Sequence, residues 1–200
     1  MCIRDRAYPT VNAPYGFQPI NRVDGTPYAG STRLIPIAST YNTAIFAGDL
    51  VNIVGTGTIV KFTGTTTGSP CGVFMGVQYV NSLGQFTPAQ FYPGTSVTQA
   101  FAIVVDDPMA AFKVAVTTAA SAMSSAGSAA VGSNMSVLPG TGDTATGNSG
   151  ASVLAGSEAN TAGLVVRVIA TIDETKTAAD SFVEIVVKIN LHQYNNTTGV

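Results

Sequence analysis

The residues able to do chemistry are few and scattered. His192 is the only histidine among 200 residues. A nucleophilic triad or a histidine-based metal site needs partners converging on the imidazole, and scattered hydroxyls do not supply them. His192 follows the alternation of the last strand onto its polar side, so a surface position is expected. Asp106 and Asp107 are adjacent. In a strand they point to opposite faces and cannot share a proton; ahead of Pro108 they read as a turn whose aspartate accepts backbone N–H groups. A calcium site drawing also on Asp49 or Asp173 lacks the ordered spacing of a calcium loop. Cys71 follows Pro70 with no flanking Lys, Arg or His to favour a thiolate. Together with Cys2 it makes neither a disulfide framework nor a metal motif. GTGDTATGNSG (140–150) contains G-x-G without a strand–turn–helix context, which reads as a turn rather than a phosphate cradle. The expectation is a chain that is not an enzyme, with no catalytic residue, no metal and no cofactor.

The elements that would position these residues are strands. The chain is rich in Thr, Val and Gly, a mix that favours pleated structure. In SFVEIVVKINL, Val183, Ile185, Val187, Ile189 and Leu191 alternate with Glu184, Lys188 and Asn190. In GLVVRVIATID, Leu164, Val166, Val168, Ala170 and Ile172 alternate with Arg167, Thr171 and Asp173. Such period-two patterning predicts half-buried antiparallel strands, here joined by the polar DETKTAAD. GDLVNIV and GTIVKFTG predict a hairpin across Gly55–Gly57. CGVFMGVQYV predicts a strand burying Val73, Met75, Val77 and Tyr79 on one side, with Gly76 marking a bulge or a close backbone approach. QFTPAQFY, held at a sheet edge by Pro88, and FAIVVDD read as further strands; MAAFKVAVTT suits a strand or a short helix and is read as a strand.

Two stretches do not alternate. Residues 7–33 contain Pro9, Pro14, Pro19 and Pro27 with Tyr8, Tyr15, Phe17 and Tyr28. Proline holds a chain extended and aromatics are large apolar anchors. This predicts an extended arm lying on a surface, its own or a partner's, before a first strand near Arg33–Ser39. Residues 117–162 are built from Ala, Ser, Gly, Thr and Asn, a mostly irregular excursion in which MSVL and ASVL mark one or two short strands. The start, MCIRDR, resembles a translated sequencing adapter, so residues 1–6 are set aside as non-native. The remaining 34–200 form one β-rich domain. The expected class is all-β, an antiparallel β-barrel or sandwich-like domain.

Composition narrows the function. Apolar residues make up 46% and charged residues 10%, against roughly 25% charged in ordinary soluble domains. No Asp, Glu, Lys or Arg lies between Lys61 and Asp106. Interface cores are depleted in charge, so a surface covered by other chains explains the deficit, as does one of Ser, Thr, Asn and Gly. A net charge of −2 supplies no basic patch for nucleic acid. No apolar run reaches the roughly 18 residues of a membrane helix, and no secretory signal is visible.

The order of short motifs is similar to a known group. An APYGF start (Ala13–Phe17) leads to GDLV (Gly48–Val51) and PCGVFMGVQY (Pro70–Tyr79). FYPG (Phe91–Gly94), VVDDPMAAF (Val104–Phe112) and TGNSG (Thr146–Gly150) follow. LVVRVI (Leu164–Ile169) precedes a terminal VKINLHQY that ends in TGV (Val187–Val200). This pattern resembles small structural proteins encoded beside the major capsid protein of tailed phages, the head decoration or cement proteins. The resemblance implies a virion protein, made in the host cytoplasm, that binds the outer capsid surface and bridges major capsid protein subunits. It also implies a homo-oligomer, with trimers favoured and dimers also known. Tyr15, Phe17 and Tyr28 of the arm and Phe86, Phe91 and Tyr92 of the charge-free stretch are the expected partner contacts. The alternatives are another virion part (major capsid protein, tail or fibre) and a host-glycan-binding module.

Overall fold

The structure, a computed structural model, describes residues 13–117, 130–172, 183–195 and 199. The adapter-like start, residues 7–12 of the arm, residues 118–129 of the excursion and DETKTAAD lie outside the described residues. Among the described residues there are thirteen strands, no α-helix, and a 3-10 turn at Gln193–Asn195. The chain is all-β, as its alternation predicts.

The first sheet is built around β8 (Ala110–Thr117). One edge of β8 pairs antiparallel with β13 (Glu184–Ile189). Its other edge carries β1 (Gln18–Arg22), antiparallel, and β11 (Ser152–Leu154), parallel. Beyond β13 come β12 (Val166–Thr171) and β9 (Asn134–Met135), while β10 (Val137–Leu138) pairs with β11. Only Ser136 separates β9 from β10, so the chain itself joins the two ends of the sheet into a nearly closed barrel. Val114, Val116, Val153, Val166, Val168, Ile185, Val187 and Met135 fill it. MSVL and ASVL are therefore barrel staves, three short strands where one or two were expected.

The second sheet runs β2 (Arg33–Pro36), β7 (Val97–Val105), β5 (Gly72–Asn81), β3 (Leu50–Ile53), β4 (Ile59–Lys61), with β6 (Phe86–Ala89) also on β5. Every ladder between these strands is antiparallel. Ile37, just after β2, bridges Ile59 of β4, so this sheet also curls back on itself. It encloses a separate core of Ile35, Ile45, Val51, Ile59, Phe74, Val77, Tyr92 and Val104.

Three expectations about the strands are corrected. In β12 the register against β13 shifts between Val168 and Ala170, so Thr171 opposes the buried Ile185 and Ala170 opposes Val186, and Ala170 does not share a side with Val166 and Val168. Val73 and Met75 do not share a side with Val77 and Tyr79. The register of β5 against β7 shifts between Phe74 and Gly76, a bulge that adds one residue and flips the parity. Val73 and Met75 then face the barrel core, and Phe74, Val77 and Tyr79 the second core. The first strand also starts earlier than expected. Gln18–Arg22 pairs with β8 despite Pro19, because a prolyl residue is tolerated on an edge strand. Part of the arm thus lies on its own barrel.

Gly16 and Gly48 hold that arm. Both have positive φ, 81° and 95°. A Cβ on Gly16 would stand 2.8 Å from the Gly48 backbone and from Cβ of Ser149. The close crossing lets the Phe17 N–H donate to the Gly48 carbonyl and the Gly16 N–H to the Ala151 carbonyl. It seats Phe17 in the barrel core.

Candidate docking face

Residues opposed across a ladder share a face, so the register of the second sheet defines what it shows to solvent. Ile35, Ala102, Val77 and Ala89 form one inward row. The next row, Pro36, Phe101, Gln78 and Pro88, points outward. Leu34 and Ile103 extend that outer face on one side, and Val80 and Phe86 on the other. Leu34 is 54% exposed, Phe101 45% and Phe86 67%. Leu83 stands 79% exposed at the tip of the β5–β6 turn. The Asn81 side chain shapes that turn by accepting from the Leu83 and Gln85 N–H groups.

Strands β5, β6 and β7 fall wholly inside the charge-free stretch, so four strands present apolar and neutral groups alone apart from Arg33 on β2. Arg33 pairs with Asp106 at 2.5 Å and lies over the Tyr194 ring. Scattered apolar residues on a surface are ordinary; a contiguous apolar patch is the feature that distinguishes an interaction surface.

The expected contact residues divide. Phe86 belongs to this face. Phe91 is half-buried and stacked on Phe46 at 5.4 Å. Tyr92 and Phe17 are each 1% exposed. Their rings fill the chain's own two cores, so they offer no side-chain surface to a partner, which corrects that expectation. Tyr15 is half-buried across the barrel wall; its hydroxyl donates to Glu184 at 2.5 Å and the Lys113 ammonium lies 5.2 Å from its ring. Burial, reinforced by the Glu184 carboxylate, holds its phenol protonated far above the usual range. Tyr28 donates to the Ser31 carbonyl at 2.7 Å. Leu34, Leu83 and Phe101 were missed. The signal for Leu34 and Phe101 is a strand, RLIPI or FAIVV, that is apolar at both parities, which means both faces are apolar; Leu83, in the turn NSLGQ, carries no such signal.

The chemistry-bearing residues are placed as follows. His192 is 1% exposed, not on the surface. Strand β13 ends at Ile189, and the bend after it breaks the alternation that placed His192 outward. Its Nδ1 accepts from the Tyr194 N–H at 3.2 Å, while among the described residues Nε2 has no hydrogen-bond partner. Burial pushes the Cys71 thiol up to about 12, so it is no nucleophile at neutral pH. Asp107 accepts from the Met109 N–H at 2.8 Å, the expected turn, and pairs with Arg22 at 2.9 Å. Asp49 is buried beside Lys61 rather than gathered with Asp106. Among the described residues no group of three His, Cys, Asp or Glu is arranged to hold a metal ion.

A cleft of about 310 Å³ lies where the arm crosses between the sheets. Tyr15, Gln18, Pro19, Met75, Gln90 and Asn148 line it, and the Gln90 amide donates to Asn148 at 2.7 Å. No protein-family model matches the chain, and no curated protein or solved structure matches it.

Proposed function

We propose that this chain is a structural virion protein: a decoration subunit that binds the outside of a tailed-phage capsid and stabilises it by bridging major capsid protein subunits. One observation carries the reading, the uncharged outer face of Leu34, Phe101, Phe86 and Leu83 on a rigid sheet. Covering a large apolar side chain contributes about 1.5–3 kcal/mol. Few charges have to be desolvated when this face is covered, so most of that gain survives docking. The order of motifs from APYGF to VKINLHQY, which resembles head decoration proteins, supplies the identity of the shell. Homo-oligomers, trimers before dimers, place several such faces on one shell site.

The experiment is reconstitution. Expanded shells lacking the protein are mixed with purified chain and imaged. Bound density with a raised melting temperature of the shell is expected; bare shells with unchanged melting refute the reading. The cleft of about 310 Å³ favours a second reading, a host-glycan-binding module. A tyrosine ring beside the amides of Gln18, Gln90 and Asn148 offers stacking and hydrogen bonds of the kind a neutral sugar uses. Binding of the isolated protein on a glycan array, lost on Gln90→Ala, would favour it.

A further inference from the structure

We propose that Lys61 and Asp49 join in an intramolecular amide bond that the folded chain forms by itself. The chain has only nine Lys and Arg and eleven Asp and Glu, yet it places one ion pair inside. Asp49 is 1% exposed and the Lys61 side chain 12%, with Nζ 2.9 Å from Oδ2. A buried ion pair loses solvation on both partners, and mutual attraction often fails to restore it. A neutral amide at the same place carries no such penalty.

The surroundings suit the reaction and its product. Oδ1 accepts from the Ser149 hydroxyl at 2.6 Å, and Oδ2 from the Phe46 N–H at 2.8 Å. Both donors withdraw charge from Cγ, and the Ser149 hydroxyl awaits the oxyanion that develops on Oδ1. The Phe46 ring, 5.7 Å from Nζ, is stacked on Phe91 and covered by the Gly142 backbone, which keeps water away. Held side by side, the two groups need no encounter step.

The atoms balance without any co-reactant. One proton passes from the ammonium to Oδ2. The freed lone pair of Nζ attacks Cγ, and the Nζ–Cγ bond forms while Oδ1 takes the negative charge under the Ser149 hydroxyl. A second proton from nitrogen reaches Oδ2. The Cγ–Oδ2 bond breaks, and Oδ2 leaves as water. The amide oxygen keeps Ser149 as its donor. The remaining N–H faces the Gly140 carbonyl, already 3.4 Å from Nζ. The bond closes the β3–β4 hairpin beside the Gly16–Gly48 crossing.

Intact mass of the folded full chain tests this. The wild type is expected to be lighter than its sequence mass by one water. Trypsin cannot cleave after an acylated lysine, so residues 34–113 are expected as one peptide, because Arg33, Lys61 and Lys113 are successive cleavage points. Fragmentation must place the loss between Asp49 and Lys61, since dehydration at Asp24–Gly25 has the same mass but leaves Lys61 cleavable. Lys61→Arg keeps the charge but lacks the amine and is expected at full mass. Folded wild type at full mass, releasing residues 34–61 on digestion, overturns the proposal even if the variant does not fold.

Discussion

Burial lowers the proton affinity of His192 against the weaker, opposing pull of Asp106, the Cys71 backbone and Asp107. The sign of its effect on stability follows. The unfolded chain takes up a proton near the ordinary value of 6.5; the folded chain does so only at lower pH. The contribution of the neutral imidazole is complete above the unfolded value and is lost as pH falls from there through the folded value. The loss reaches the contacts beside it. Gln193 donates to and accepts from the backbone of Ile53, at 2.9 and 2.7 Å, and its N–H donates to the Pro70 carbonyl. The melting temperature of the wild type is expected to fall across this window more steeply than that of His192→Leu. Parallel slopes would show that other groups set the acid limit. A second residue-level test concerns Gly16. Alanine there meets both a positive φ and a backbone 2.8 Å away. The expected loss is about 3 kcal/mol or more, or roughly 10 °C in melting temperature, whereas Gly25→Ala, with open space around it, is expected to lose far less.

At the level of elements, alternation was readable wherever a strand keeps one parity from end to end. Ile185, Val187 and Ile189 fall inward on β13, and Val183 just before it, as their spacing requires. Val51 and Lys61 face each other across the hairpin that Gly55–Gly57 predicts. The pattern misled where geometry breaks parity: at the β5 bulge, at the β12 bulge between Val168 and Ala170, and at the bend beyond Ile189. All three depend on long-range packing, which no local window contains. Of the candidate docking face only Phe86 was legible, as an aromatic of the charge-free stretch, while Leu34 and Phe101 are identified only by pairing. That face makes its own prediction. Phe86→Ser and Phe101→Ser remove exposed rings from a sheet whose core lies on the other side. Each is expected to change unfolding free energy by about 0.5 kcal/mol or less. Each is also expected to weaken docking to shells by about 2 kcal/mol, roughly thirtyfold. Urea melts beside shell-binding isotherms separate the two; a large stability loss with unchanged docking places the contact elsewhere.

At the scale of the whole molecule, several ionic groups among the described residues sit in small, local pairs. Arg22 holds Asp24 and Asp107, Arg33 holds Asp106, and Lys113 holds Glu184. All of these lie off the outer rows of the second sheet except Arg33, which sits at its rim. Docking by such a molecule draws on removal of apolar surface from water, which is insensitive to charge screening. It therefore differs in kind from docking by opposite charges, which weakens as the screening length shrinks. Raising sodium chloride from about 50 mM to about 500 mM is expected to change shell affinity by less than about threefold. Replacing chloride with sulfate is expected to tighten binding, because sulfate is excluded from protein surface and strengthens burial. Calorimetry is expected to give a negative heat-capacity change, the robust sign of apolar burial. A steep loss of affinity with salt, at constant shell integrity, would instead mean that the pairs around Arg22 and Lys113 open to meet the partner, and that the uncharged face is turned away from it.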